Sequence, residues 1–158
     1  MVNAIAAECY RIGNARGEFG PGMTVSEIDA AESALGISFA VDHRDLLLLG
    51  VPIAGPDWRH PESAEVAKSL SAPTEGALFD VRMNTLWPTS WGPRPADELS
   101  AESIAAIKIA EWPRMVPLWR HRCTRAGAPS GDPVFSIMQT DCVLYGENLA
   151  DWARHRVR

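Results

Sequence analysis

Apolar residues are spaced at helical intervals through the first two-thirds of the chain and gathered into short runs in the last third. Asn3 to Ile12 is Ala-rich and stops at Gly13, which predicts a short first helix. The second helix has the clearest start. Thr24 with Glu27 three residues on makes a capping box, and Met23 with Ile28 makes a hydrophobic staple. Ile28, Ala31, Ala34 and Leu35 then share one face, and Gly36 ends the helix at a position that tolerates positive φ. Asp42 is placed to cap a helix over His43–Leu49, closed by Gly50. Pro61 suits the first turn of a further helix running to about Leu70. Ala77–Val81 is a short apolar run that reads equally as strand or as helical turn.

Pro88, Pro93 and Pro95 exclude regular helix between Trp87 and Arg94. A longer helix is predicted over Asp97–Glu111, with Ile104, Ile107 and the Lys108 stem on neighbouring faces, ending before Pro113. Beyond it the period shortens. Met115–Trp119, Val134–Met138 and Cys142–Tyr145 read as strands, the first with Pro117 marking an edge or a bulge. Gln139-Thr140-Asp141 is the turn between the last two. Asn148 caps a final helix whose end carries Arg154, His155, Arg156 and Arg158, cations that suit the negative end of the helix dipole. Helices first and antiparallel strands afterwards is the α+β pattern. The Gly-rich stretch Gly13–Gly22 reads as a flexible connection. Residues 1–22 are therefore expected to be an N-terminal helix plus connection, and 23–158 a single domain.

Bulk properties narrow the function classes. At 158 residues the chain can bury a sizeable core without a disulfide or metal. A net charge of -5 argues against nucleic acid as partner, since such binders show a basic face, and it favours a basic protein partner. Cys9, Cys123 and Cys142 are odd in number and unpaired in spacing, unlike a secreted disulfide framework. Cys142, in an apolar strand, is expected to be a small buried hydrophobe. Met1–Glu8 has no basic start, so no signal peptide is predicted. Leu46–Ile53 is too short to span a bilayer. The expected location is the cytoplasm, with no membrane partner.

Two stretches concentrate chemistry. Asp57-Trp58-Arg59-His60 sets an acid, an indole, a guanidinium and an imidazole side by side. It reads either as part of an active site or as a turn in which Trp58 plugs the core while Asp57 and Arg59 pair. The turn is favoured, because consecutive side chains do not converge on one point. In Trp87–Pro95 a proline-stiffened loop carries Trp87, Trp91 and Arg94, residue types enriched at binding hot spots. It reads as a docking surface or as the closed edge of a core. His121-Arg122-Cys123 offers two metal ligands, but zinc needs four at suitable spacing, and no nucleophile elbow or phosphate loop occurs. Glu98, Glu102 and Glu111 with Lys108 read as a solvated face, or as negative charge for a cationic partner. The candidate binding residues are Asp57, Trp58, Arg59, Trp87, Trp91, Arg94, His121 and Arg122. No catalytic residue, metal or cofactor is expected.

Taken in order, several segments resemble the SUKH superfamily, which includes the fungal Smi/Knr-type cell-wall-synthesis regulator, and in particular its actinobacterial-style members. They are Met23–Ile28 through Leu35-Gly36-Ile37-Ser38-Phe39, Asp42–Leu47, Pro56-Asp57-Trp58-Arg59, Gly76–Val81 leading to Trp87, and Trp91–Pro95. Val116-Pro117-Leu118, His121-Arg122, Pro133–Ser136, Gln139-Thr140-Asp141 and Tyr145-Gly146 complete the set. The chain departs from the pattern at Ala40, where proline is frequent, and at Cys123-Thr124-Arg125, where a Tyr-Leu-Pro-like run is usual. The resemblance implies an α+β domain with a mixed or antiparallel sheet flanked by helices. It implies a non-enzymatic protein-binding module, an immunity-type protein that binds and neutralises a basic toxin domain. The alternative is a carbohydrate- or small-ligand-binding domain, with Trp58, Trp87 and Trp91 as an aromatic platform and Asp57, Arg59 and His121 as hydrogen-bonding groups.

Overall fold

Helices fill the first two-thirds and strands the last third of the computed structural model, which describes residues 1–156. In chain order the elements are α1 (Ala4–Asn14), β1 (Phe19–Pro21), α2 (Val25–Leu35), α3 (Val41–Leu49), β2 (Gly50–Pro52) and α4 (Ala64–Met83). A single 3-10 turn at Thr89–Trp91 follows, then α5 (Glu98–Ala110), β3 (Met115–Trp119), β4 (Arg122–Arg125), β5 (Val134–Met138), β6 (Asp141–Gly146) and α6 (Leu149–His155). Together they make one α+β domain.

Local chemistry sets most helix ends. Thr24 accepts from the Glu27 N–H while the Glu27 carboxylate accepts from the Thr24 N–H, the expected reciprocal cap. Gly36 stops α2 at φ 62°, where a side chain would be strained. Asn3, Ser63, Asp97 and Asn148 cap α1, α4, α5 and α6 in the same one-sided way. Two starts differ from expectation. α3 begins at Val41 with no side-chain cap. Asp42 instead turns inward and accepts from Asn3 Nδ2, Ser130 Oγ and the Gly131 N–H at 2.6–2.8 Å, tying three segments together. α4 begins after Ser63, not at Pro61, and runs on through Pro73, so Ala77–Val81 is helix. Pro73 withholds one N–H from the ladder. Burial of Ala77 and Val81 against Ala105 and Ile109 of α5 outweighs that loss. α5 turns its small residues Ala101 and Ala105 inward and leaves Ile107 exposed. Of the cations expected at the last helix, Arg156 lies just past α6, and Arg158 falls outside the described residues.

The sheets are antiparallel. β1, within the stretch read as a connection, pairs with β2, Phe19 opposite Pro52. The second sheet is a meander ordered β3-β4-β5-β6. β3 is an edge and its register slips between Pro117 and Trp119, as proline requires. Gln139 and Thr140 alone form the β5–β6 turn, Gln139 at φ 56°, and Asp141 already belongs to β6.

Three apolar clusters hold the layers. Met23, Ile28, Phe39, Leu47, Trp58, Val66 and Val116 pack beneath α2 and α3. Ala6, Cys9, Leu46, Leu118, Val134, Leu149 and Trp152 join α1 and α6 to the sheet. Trp87 and Trp91 pack against the α4–α5 cluster. Cys9 and Cys123 are buried, but Cys142 is exposed, contrary to expectation, because β6 is an outer strand with little packed over it. Among the described residues, no helix is long and apolar enough to cross a membrane.

Candidate functional site

Antiparallel partners share a face, so Cys123, Phe135 and Leu144 line up across the sheet, with Ile137 and Cys142 beside them. α4 lies over this face, and a groove opens on each side of it. The larger, about 880 Å³, is walled by Leu35, Leu70 and Ala77, by Ile109 and Trp112, and by Phe135 and Ile137 of β5. Its size and apolar lining are those of a binding cleft. The smaller, about 580 Å³, includes Lys68, Arg120 and His121 in its lining.

The β5–β6 turn is pinned to α4. A Cβ on Gly76 would sit 2.9 Å from Gln139 Cα, so only glycine admits this approach. The Thr140 N–H donates to Asp80 at 3.0 Å, its hydroxyl donates to the same oxygen, and Asn84 Nδ2 donates to the other at 2.7 Å. These bonds, Thr140's foremost, hold the Asp80 carboxyl below its ordinary range.

At the rim of the larger groove, Trp112 is 41% exposed and lies 6.0 Å from Trp91. Trp91 meets Trp87 edge-to-face at 5.1 Å. Trp87 Nε1 donates to the Gly92 carbonyl at 2.8 Å, and the Arg94 guanidinium lies 5.5 Å from the Trp87 ring centre while donating to the Val81 carbonyl and Glu98. Trp87, Trp91 and Arg94 thus assemble into one half-exposed patch. Trp112 completes it, and sequence reasoning missed it. The available signal was an indole just beyond the end of a helix, outside its periodic face.

The other candidates fall elsewhere. Trp58 is 1% exposed, T-shaped against Phe39 and part of the cluster beneath α2, so it is a core residue and not a docking one. The platform of Trp58 with Trp87 and Trp91 is therefore not assembled. Asp57 and Arg59 bond each other through Nε at 2.8 Å and Nη2 at 3.2 Å, which keeps the Asp57 carboxyl low. His60 is exposed beside Glu62. His121 lines the smaller groove and meets the Arg122 guanidinium; burial, then Arg122 and Arg120, lowers its pKa. Arg122 also lies 4.0 Å from the Tyr145 ring centre. Among the described residues no hydrogen bond joins Asp57 or Arg59 to His121 or Arg122, and no group of three or more His, Cys, Asp or Glu could hold a metal ion.

The tip of the sheet leaves Met138, Val143, Leu144 and Tyr145 exposed on both faces. Neighbouring exposed apolar residues of this kind, with a groove beside them, make a candidate binding surface. In comparisons with known proteins, the chain matches no family model, no curated protein and no solved structure.

Proposed function

We propose that the protein is a non-enzymatic protein-binding module of the immunity type, acting in the cytoplasm to bind and neutralise a toxin domain. The observation that carries this reading is the apolar groove between α4 and the sheet, with Trp112 in its wall and Trp91, Trp87 and Arg94 extending from Trp112 as a half-exposed patch. Aromatic and arginine anchors beside an apolar cleft are what protein interfaces use for most of their binding energy. The net charge of -5 favours a basic partner by speeding encounter. The ordered resemblance to SUKH segments supports the toxin-neutralising role. The test is to seek a toxin domain encoded beside this gene, to measure direct binding to it by calorimetry, and to test rescue of cells producing it; a neighbouring toxin that neither binds nor is neutralised overturns the proposal. Trp112→Ala and Trp91→Ala should each weaken binding at least about tenfold while the fold is kept. Full binding by the double variant overturns the assignment of the groove.

A second reading draws on the same groove. Its volume of about 880 Å³ and apolar walls suit a small apolar ligand better than a sugar. A thermal-shift screen with fatty acids and apolar metabolites tests it, since a ligand that binds only the native state raises Tm. No shift from any of them removes it.

A further inference from the structure

One arginine of this chain is buried between two indoles. The Arg156 guanidinium lies 4.3 Å from the Trp119 ring centre and 4.4 Å from that of Trp152. The two rings stand 6.2 Å apart at 63°. Arg156 Nη2 donates to Glu18 Oε2, and the two side chains are only 7% and 16% exposed. Two π faces and a carboxylate, largely closed off from water, are the groups that recognise a planar cation.

The walls of this cage stand without the arginine. Trp152 is buried with Cys9, Leu118 and Leu149, and Trp119, at the end of β3, packs against the same cluster. Glu18 is held by its backbone, its N–H donating to the Gly13 carbonyl at 3.1 Å and its carbonyl accepting from the Ile53 N–H at 3.0 Å. Arg156 is attached less firmly. It lies just past the end of α6 with extended backbone, so its side chain can leave without unwinding a helical turn. Its Nη1 is buried with no acceptor among the described residues, which costs the closed state stability. Burial also pulls its pKa below the ordinary value, although Glu18 opposes the shift.

We propose that Trp119, Trp152 and Glu18 form a binding site for an arginine side chain of a partner protein, and that Arg156 is its intramolecular competitor. The occupant already in the cage is the argument for that ligand: an arginine side chain reaching in from extended backbone. A guanidinium lays a weakly hydrated plane against the indoles, whereas an ammonium is compact and strongly hydrated. Glu18 selects a cation over a neutral plane such as urea. While Arg156 fills the cage, an incoming arginine binds only the fraction of molecules that are open. The site shares no residue with either groove, so it is independent of the toxin-binding proposal.

Titration of the full chain by NMR, followed at the indole N–H resonances of Trp119 and Trp152, tests it. In Arg156→Ala, ethylguanidinium and an acetylated, amidated Gly-Arg-Gly peptide should each shift both resonances. Their dissociation constants should be on the order of millimolar for so small a contact. Ethylammonium and urea at equal concentration should shift neither. Adding Glu18→Gln to Arg156→Ala should weaken binding at least about tenfold. Wild type should bind at least about tenfold more weakly than Arg156→Ala, because Arg156 competes. The Arg156 Nε–H resonance of wild type, displaced by the two rings, should move toward its open-chain position as ethylguanidinium is added, a reading that needs no variant. Equal binding by wild type and Arg156→Ala, indifference to Glu18→Gln, or ethylammonium or urea matching ethylguanidinium would each overturn the assignment. So would a peptide that fails where ethylguanidinium binds, or an Arg156 resonance that ethylguanidinium leaves unmoved.

Discussion

Acidification from pH 7 to pH 5 should destabilise this protein chiefly through His43. Its side chain is fully buried, 5.1 Å from the Phe39 ring and 6.5 Å from Trp58, with Nδ1 2.9 Å from Thr124 Oγ1 and no partner for Nε2 among the described residues. Burial alone pushes its pKa from 6.5 down to about 3. The unfolded chain takes up a proton near 6.5 that the native chain refuses. The stability tied to neutral His43 is therefore fully present above 6.5 and is lost as pH falls toward 3. Linkage with these two values gives a loss of about 2 kcal/mol between pH 7 and pH 5, or roughly 4–8 °C in Tm for a chain of this size. Carboxylates lowered in the native state, such as Asp57 and Asp97, act with the same sign, but only as pH falls through their ordinary range below about 4.5. The window between pH 7 and 5 thus isolates imidazole. His121 contributes with the same sign and is removed by His121→Gln. Urea unfolding at several pH values should show the loss in wild type and in His121→Gln, and a nearly flat profile in the His43→Gln, His121→Gln double variant, whose baseline will be lower. Parallel profiles for wild type and His43→Gln, or a native His43 imidazole that titrates near 6.5 by NMR, would refute the reasoning.

Gly76→Val drives a Cβ into the backbone of Gln139 and should cost about 1–3 kcal/mol in urea unfolding, with faster hydrogen exchange along β6. Trp58→Ala empties a core site and should cost about 3–5 kcal/mol, whereas Trp112→Ala should cost under about 1 kcal/mol; the reverse order in thermal melts would contradict their burial. Native protein should take up iodoacetamide at Cys142 alone by mass spectrometry, since Cys9 and Cys123 are buried with thiols pushed up to about 12. Ser63→Ala should cost about 1 kcal/mol by removing the α4 cap, and Pro61→Ala, which lies before the helix, should leave the urea midpoint nearly unchanged.

Elements were legible where their signals are local. The Thr24–Glu27 box, the Asn148 cap, the turn at Gln139-Thr140-Asp141 (one residue shorter in the fold) and the Pro117 irregularity each rest on residues a few positions apart. Elements that depend on distant partners were not. β1 exists because Phe19 meets Pro52, and β4, with arginine at both ends, shows no apolar run and is held between β3 and β5. Pro73 signals a break that packing against α5 overrides. The same limit applies to the site. Trp87, Trp91 and Arg94 were found because a proline-rich loop advertises them. Whether Trp58 lay inside, and that Trp112 joined the others, depended on contacts across the fold. Cys142 misled because an apolar strand ordinarily packs on both neighbours, and here β6 stands at the margin.

The packing of α1 against α6 has a consequence for synthesis on the ribosome. Ala6 and Cys9 of the first helix complete their environment only with Leu149, Trp152 and Ala153 of the last. Everything between Asn14 and Leu149 must be translated in the interval, which takes on the order of ten seconds at ordinary elongation rates. During that time the nascent α1 lacks its final partner, and release of α6 from the exit tunnel is the event that closes the second apolar cluster.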